Sequence, residues 1–245
     1  MPLTVSVITA SYNRVGTLGQ ALDSVAQQQK VRVEHIVIDG GSTDGSVELL
    51  RAQPGIAKLV TEPDSGIYDA LNKGLARATG EVVGFLHSDD YFAHSGVLAR
   101  VASVFSDPAI EAVYGDLDYV SADTGRVIRR WRSGEYARER LAQGWMPPHP
   151  TLYLRRALYQ RLGGFDTSFR IAADYEFMLR MFSAGVRPAY LPEVLVKMRW
   201  GGASNRSLAR ILQKSREDYA VLRRHRVGGL WTLARKNLGK LEQFF

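Results

Sequence analysis

Glu81-Val82-Val83-Gly84-Phe85-Leu86-His87-Ser88-Asp89-Asp90 is the stretch on which the reading of this chain turns. Glu81 to Leu86 has the apolar, β-branched and aromatic make-up of a buried strand. Two adjacent carboxylates then follow the strand. Such a pair repels and is costly unless a cation lies between the groups or solvent screens them. Carboxylate and phosphate oxygens are hard ligands for Mg²⁺ or Mn²⁺, ions that commonly bridge one or two carboxylates to a diphosphate. The competing explanation is that Asp89 or Asp90 caps a helix beginning near Ala93. One aspartate suffices for that, so the second goes unexplained.

Three strand-like runs precede this one: Val5 to Ile8, Val33 to Ile38 and Ala57 to Thr61. Between them the apolar residues fall at helical spacing. Leu18, Leu22 and Val25 make one stripe, and Ala70, Leu71, Leu75 and Ala78 another. Val47, Leu49 and Leu50 follow an expected cap at Ser42 or Thr43. This alternation predicts an α/β fold with a mostly parallel central sheet flanked by helices, whose ligands gather at the carboxyl ends of the strands. After residue 107 the rhythm changes. Strands are expected over 113–116, 117–121, 127–128 and 194–200, and helices over 156–162 and 173–184. Trp145-Met146-Pro147-Pro148-His149-Pro150 reads as a surface loop, because proline disfavours helical backbone in the residue before it. Residues 207–226 and 230–244 read as basic helices, so the expected division is a domain over 1–204 and a C-terminal basic helical extension over 205–245. No internal repeat or low-complexity linker separates the two.

The residues with chemical potential sit where those strands end. After the first come Thr9, Ala10, Tyr12 and Arg14: small residues that admit a ligand, a stacking face and a cation. A plain βα loop with Ser11 or Asn13 as helix cap is the alternative. After the second comes Asp39, able to accept hydrogen bonds from a base or ribose, followed by Asp44, read as a helix cap. After the third, Asp69, Asn72 and Lys73 share one helical face, with Lys73 suited to a diphosphate or else a solvated surface lysine. Asp174 opens a later helix and is either its cap or a general base. The nucleotide-loop signatures G-x-G-x-x-G and G-x-x-x-x-G-K-[ST] are both missing.

Composition bounds the rest. The chain has 245 residues, 45% hydrophobic and 23% charged, enough for one α/β domain with a full core. Cysteine is absent, which removes thiolate nucleophiles, disulfides and cysteine-ligated zinc. The net charge of +7 suits an anionic partner. Much of that excess lies from Arg206 onward, where Leu230, Trp231, Leu233, Leu238, Leu241, Phe244 and Phe245 are interleaved with cations, a pattern that fits an anionic membrane surface, a solvated face or a partner subunit. No secretory segment or spanning helix is expected, so the location reads as cytoplasmic or peripheral at the inner face of a membrane.

Taken together, Ser6 to Arg14, Ile36 to Gly45, Leu86 to Asp90 and Ala173 to Glu176 resemble the family 2 glycosyltransferases, in the family's order and approximate spacing over roughly residues 3 to 200. The resemblance implies a GT-A-type fold and an inverting transfer from a nucleotide-sugar, UDP-linked first, to a saccharide or lipid-linked saccharide. It implies that Thr9, Ala10, Tyr12, Arg14 and Asp39 hold the base and ribose and that Asp89 contacts ribose or metal; Asp69, Lys73 and Ser88, placed by their own position at strand and helix ends, are expected to complete the donor site. Asp90, with Asp89, would bind Mn²⁺ or Mg²⁺, and Asp174 would be the base. His87 stands where the family's fuller motif has its first acidic residue. Acceptor recognition falls to the later region, with His149 and Trp145 as its candidates. The rivals are a nucleotidyltransferase or other nucleotide-binding α/β enzyme and a basic nucleic-acid-binding protein.

Overall fold

The computed structural model describes residues 3–200 and 208–238. Its first half runs β1 (Thr4–Ser11), α1 (Val15–Ala26), β2 (Arg32–Asp39), α2 (Ser46–Ala52), β3 (Ile56–Thr61), α3 (Ile67–Leu75) and β4 (Val82–Phe85). Then follow β5 (Asp90–Phe92), α4 (Val97–Val104), β6 (Ala112–Val120), β7 (Val127–Trp131) and α5 (Arg138–Leu141). A single 3-10 turn (His149–Thr151) leads into β8 (Tyr153–Arg155), α6 (Arg156–Leu162), α7 (Ala173–Ser183), β9 (Ala189–Arg199), α8 (Leu208–Arg224) and α9 (Leu230–Leu238).

One sheet carries the molecule, in the order β3-β2-β1-β4-β8-β6-β9-β5, with β7 added beside β6. Its first four strands are parallel, as the alternating pattern predicts. Beyond β4 the sheet is mixed: β8 runs antiparallel to β4 and β6, while β9 is parallel to β6. Helices cover both faces of the parallel half, so β1 is buried at nearly every position, Ser6 and Thr9 included, and shows no alternation. Helix α3 comes so close to β1 that a Cβ on Gly74 would collide with Ile8.

Several local expectations shift. In place of the two strands expected over 113–116 and 117–121 there is one, Ala112–Val120, because Asp116 in its middle is satisfied by the Ser133 backbone N–H at 2.8 Å and the Tyr190 hydroxyl at 2.9 Å. Helix α2 starts after Gly45, not Ser42 or Thr43; Asp44 holds it by accepting from the Ser46 N–H at 3.0 Å. No helix begins at Ala93, since Asp90 to Phe92 pair with β9 and α4 starts only at Val97. Residues 147–150 are buried rather than a surface loop. Three of the six residues from 145 to 150 are prolines, which bring no N–H to be left unsatisfied, and Trp145 and Met146 pack on the main core.

The C-terminal helices join the same body. Val221 and Leu222 are fully buried in the cluster that holds Met178, Leu179 and Phe182. Glu217 accepts from the backbone N–H groups of Ile171 at 2.7 Å and Ala172 at 3.0 Å. Thr232 donates to the Ala142 carbonyl at 2.9 Å, and Gly144, at φ +84°, lies against the backbone of Lys236. Among the described residues no helix is long and apolar enough to cross a membrane. The described part of the apolar C-terminal stripe leaves Leu230 and Trp231 at 70% and 73% exposure; Leu241, Phe244 and Phe245 lie outside the described residues.

Candidate active site

A cleft of about 690 Å³ opens at the carboxyl ends of β1 and β4 and runs between the 3-10 turn, the start of α7 and the C-terminal helices. Of the positions singled out from the sequence, Ala10, Tyr12, Arg14, Ser88, Asp89, Asp90, His149 and Asp174 line it. They arrive from four separate stretches of chain, which only the sheet brings together.

Five other expected positions are engaged elsewhere. Thr9 is buried and shares a hydrogen bond of 3.1 Å with His35 Nε2. Asp39 is fully buried behind the cleft wall, where its oxygens accept from the N–H groups of Gly41 and Ser42 and from the Ser42 hydroxyl. Asp69 accepts from the Ser65 N–H at 3.0 Å, holding the first turn of α3. Lys73 reaches the Pro63 carbonyl at 2.9 Å and Glu62 at 3.0 Å, so its ammonium clamps a loop instead of facing the cleft. Trp145 donates to the Ser133 carbonyl at 2.8 Å among Tyr114, Tyr136 and Phe182, a core position. Asn72 is likewise structural: its amide takes the Phe165 N–H and gives to the Phe165 carbonyl, tying α3 to the loop before α7. For Asp39 and Asp69 a short polar side chain near a strand or helix end satisfies local backbone, a demand that a linear pattern does not separate from ligand binding.

The Tyr12–Arg14 loop is stitched to the 40–46 loop. Asn13, with φ at 52°, accepts from the Thr43 N–H at 2.9 Å, and the Val15 N–H donates to Asp44 at 3.0 Å. Tyr12 is left 60% exposed beside Gly40 and Asp64. The acidic pair follows. Arg199 donates to the Asp89 carbonyl at 2.6 Å, bracing the turn. Asp90 is 1% exposed, and one carboxylate oxygen has no hydrogen-bond partner. Burial first, then the charge of Asp89, pushes its carboxyl well above the usual range. A buried, half-unpaired carboxylate beside a second one is a group that a bound cation would stabilise. No third His, Asp or Glu completes a metal cluster among the described residues. The donor set therefore fits an ion that takes its remaining oxygens from a diphosphate and water, as Mg²⁺ and Mn²⁺ do.

Asp174 sits in the first turn of α7. One carboxylate oxygen is held by the Tyr175 N–H at 2.8 Å and by the Tyr68 hydroxyl at 3.1 Å, the latter also 2.7 Å from the Ile171 carbonyl. The second oxygen makes no hydrogen bond among the described residues. Burial, then the neighbouring Asp174 charge, drives the Tyr68 hydroxyl well above its ordinary value, so it remains a donor. Between the acidic pair and Asp174 lie two histidines, His87 and His149, 6.0 Å apart, with His149 stacked on Phe85 at 5.3 Å. Burial holds His149 down to about 4 and lowers His87 as well, so both are neutral near pH 7.

Five buried side-chain atoms without a partner belong to this one cleft: Ser11 Oγ, His87 Nδ1, Asp90 Oδ1, His149 Nε2 and the Tyr175 hydroxyl. Buried polar groups are normally satisfied, so a cluster of orphans in one concavity marks a place built for a polar ligand. Ser11, Asp64, Tyr68, Tyr119, Arg129, Trp131, Trp200, Lys214 and Lys236 are among the further lining residues that were not singled out as binding residues in the sequence. Lys236 is 3.0 Å from Asp218, which Lys214 also contacts at 2.6 Å, and its ammonium lies 3.1 Å from the Tyr175 ring centre.

Comparison with known proteins supplies a context for this geometry. The profile of the family described as Glycosyl transferase family 2 matches residues 6–173. An uncharacterized glycosyltransferase of Mycobacterium tuberculosis is 38% identical over 187 residues, covering 72% of this chain and 68% of its own length. A PGL/p-HBAD biosynthesis glycosyltransferase of Mycobacterium bovis is 31% identical over 207 residues, covering 82% and 78%. Among solved structures, Staphylococcus aureus TarS superposes with a TM-score of 0.71 at 22% identity, over 92% of this chain but only 39% of its own. A TarS fragment, residues 1–349, is solved with UDP-GlcNAc; it covers 92% of this chain and 66% of its own at 19% identity and TM-score 0.67. The mannosyltransferase PcManGT of Pyrobaculum calidifontis, in complex with GDP-Man and Mn²⁺, gives 0.69 at 23% identity, over 97% and 70%. At these identities the structural likeness speaks for the fold, a GT-A-type curled sheet with flanking helices.

Proposed function

Because the chain belongs to glycosyl transferase family 2, we propose that it moves a sugar from a nucleoside diphosphate donor, UDP-linked first, to an acceptor hydroxyl with inversion at the anomeric carbon. The observation that carries this is the convergence of unpaired buried polar atoms on a cleft that also holds Asp89, Asp90 and Asp174. Nucleotide-sugars in the TarS and PcManGT complexes support such a donor, and the Mn²⁺ of the latter supports a divalent ion. The family and the missing phosphate loop disfavour the nucleotidyltransferase and nucleic-acid readings.

In this reading Tyr12 stacks against the base and Arg14 meets the donor's charge. Asp89 and Asp90 would hold Mn²⁺ or Mg²⁺, which when bound offsets the negative charge growing on the departing diphosphate. The free oxygen of Asp174 takes the proton of the acceptor hydroxyl as the hydroxyl's own oxygen bonds to the anomeric carbon and the bond from that carbon to the diphosphate breaks. Tyr68 and the Tyr175 N–H hold the other oxygen, so the carboxylate cannot rotate away. His87 and His149, neutral between the two acidic sites, line the space where the sugar must pass without adding charge.

A thermal-shift series with UDP, GDP and dTDP, each with and without Mn²⁺, on wild type and Asp90→Asn tests the donor site. At one hundred times Kd a ligand adds about 2.7 kcal/mol, roughly 5–10 °C for a chain of this size. One nucleotide should give such a shift only with metal and only in the wild type. A shift of equal size without metal and in the variant would remove Asp90 from the site. Silence from every nucleotide would overturn the donor reading.

A further inference from the structure

The far wall of the cleft is aromatic, and its placement follows from strand register. Asp90 of β5 pairs with Met198 of β9, Met198 with Tyr119 of β6, and Tyr119 with Arg129 of β7. These four residues therefore form one row across four strands, starting at the acidic pair. With strands about 4.8 Å apart, Tyr119 lies roughly 10 Å and Arg129 roughly 14 Å along the row from Asp90. Trp131, two residues beyond Arg129, and Trp200, two beyond Met198, share the face of that row by strand alternation. Trp200 continues the ladder through its N–H to the Val120 carbonyl at 2.9 Å, and its ring meets Tyr119 edge-on at 5.6 Å. The Arg129 guanidinium stacks 4.6 Å from the Tyr119 ring centre and 5.8 Å from that of Trp131. Tyr119, Arg129, Trp131 and Trp200 all line the cleft, and Trp200 is still 41% exposed there.

An indole–phenol wall with a guanidinium set into it offers broad apolar faces with polar groups between them. A pyranose ring complements that surface, since it has a face of C–H groups and a rim of hydroxyls. The donor base is already provided for: Tyr12 follows β1, three strands from β6, or roughly 14 Å across the sheet. We propose that Tyr119, Arg129, Trp131 and Trp200 form the acceptor subsite, and that the acceptor presents a pyranoside ring stacked on Trp131 and Trp200. This rests on the transferase reading given above and names its acceptor class. Trp145, expected there from the sequence, belongs to the core.

The test uses saturation-transfer NMR on the full chain with methyl glycosides of glucose, galactose, mannose, rhamnose and N-acetylglucosamine. Each is offered at roughly 10 mM, which detects millimolar sites, with and without UDP and Mn²⁺. At least one glycoside should show ring-proton transfer in the wild type. Trp200→Ala should weaken it about tenfold, the scale of one lost stacking contact. Trp231→Ala removes an indole that is 73% exposed and absent from the cleft lining, and should leave the signal intact. Melting curves with UDP and Mn²⁺ report the donor site of the same variants. If UDP shifts the protein but no glycoside gives a Trp200-dependent signal, the acceptor assignment fails and the donor reading stands. If glycosides bind through Trp200 while no nucleotide shifts the protein, the saccharide site stands and the transferase reading falls. Loss of UDP and glycoside together in a folded Trp200→Ala protein would assign the wall to the donor and overturn the proposal.

Discussion

Asp174 is the residue whose surroundings say most about its use. One of its oxygens is engaged by the Tyr175 N–H and the Tyr68 hydroxyl; the other has no hydrogen-bond donor among the described residues, and the side chain lines the cleft. The sequence left cap and base equally open; Ala172 holds the cap position of α7 and no side chain caps it, so the cap reading falls away. Asp174→Asn keeps the shape and the engaged oxygen but cannot take a proton. Turnover should fall by about 10²–10⁴-fold, while the melting shift with UDP and Mn²⁺ stays within a degree or so of wild type. A variant that turns over normally would displace Asp174 as the base. His35 supports a second prediction. Burial holds it at about 4 against an ordinary 6.5, so as pH falls through that window the unfolded chain takes up the proton first. Its contribution is complete above pH 6.5 and is lost progressively down to about pH 4, on the order of 3 kcal/mol. His35→Gln should melt with a flatter dependence between pH 6.5 and 4; an unchanged slope would mean His35 is not the group resisting charge.

At the scale of elements, what could be read from the sequence was what is local. Strands β1 to β4 carry short stretches rich in apolar and β-branched residues and the helices between them carry periodic stripes, so both declare themselves within a few residues. The three-residue strands β5 and β8 do not, because their bonds come from β9, β4 and β6, distant in the chain. The same limit hid the aromatic wall: Tyr119, Trp131 and Trp200 are scattered singly in sequence and meet only through pairing. Helix α3 shows how an element's seat can be tested by the sign of one change. In an exposed helix, Gly→Ala stabilises by about 1 kcal/mol. Gly74 instead faces Ile8 with no room for a methyl group, so Gly74→Ala should destabilise, by about 1–3 kcal/mol, and Gly74→Val by more. Both should also slow turnover, since Tyr68 and Asn72 ride on the same helix. Urea unfolding decides it: an Ala variant more stable than wild type would mean that α3 does not press on β1.

For the whole molecule the decisive question is whether residues 205–245 are an appendage. Their basic composition suggests one, because exposed charges dominate the count, while the few apolar residues that anchor them carry no label of what they pack against. Val221 and Leu222 are fully buried in the main core, and each such side chain is worth about 1.5–3 kcal/mol, with a similar loss for the partners it would uncover. Removing α8 would also strip Glu217 from the N–H groups of Ile171 and Ala172, immediately before Asp174. Together these losses approach the 5–15 kcal/mol that typically holds a domain folded. A chain ending at residue 204 is therefore expected to lose its cooperative thermal transition. Glu217→Ala in the full chain should stay folded but turn over slowly, with its UDP shift retained, because only the segment carrying Asp174 is loosened. Circular dichroism melting of the truncated chain settles the point. A cooperative transition within a few degrees of the full chain would make the C-terminal helices a separate extension, and the placement of Lys214 and Lys236 in the cleft wall would then have no part in holding the site.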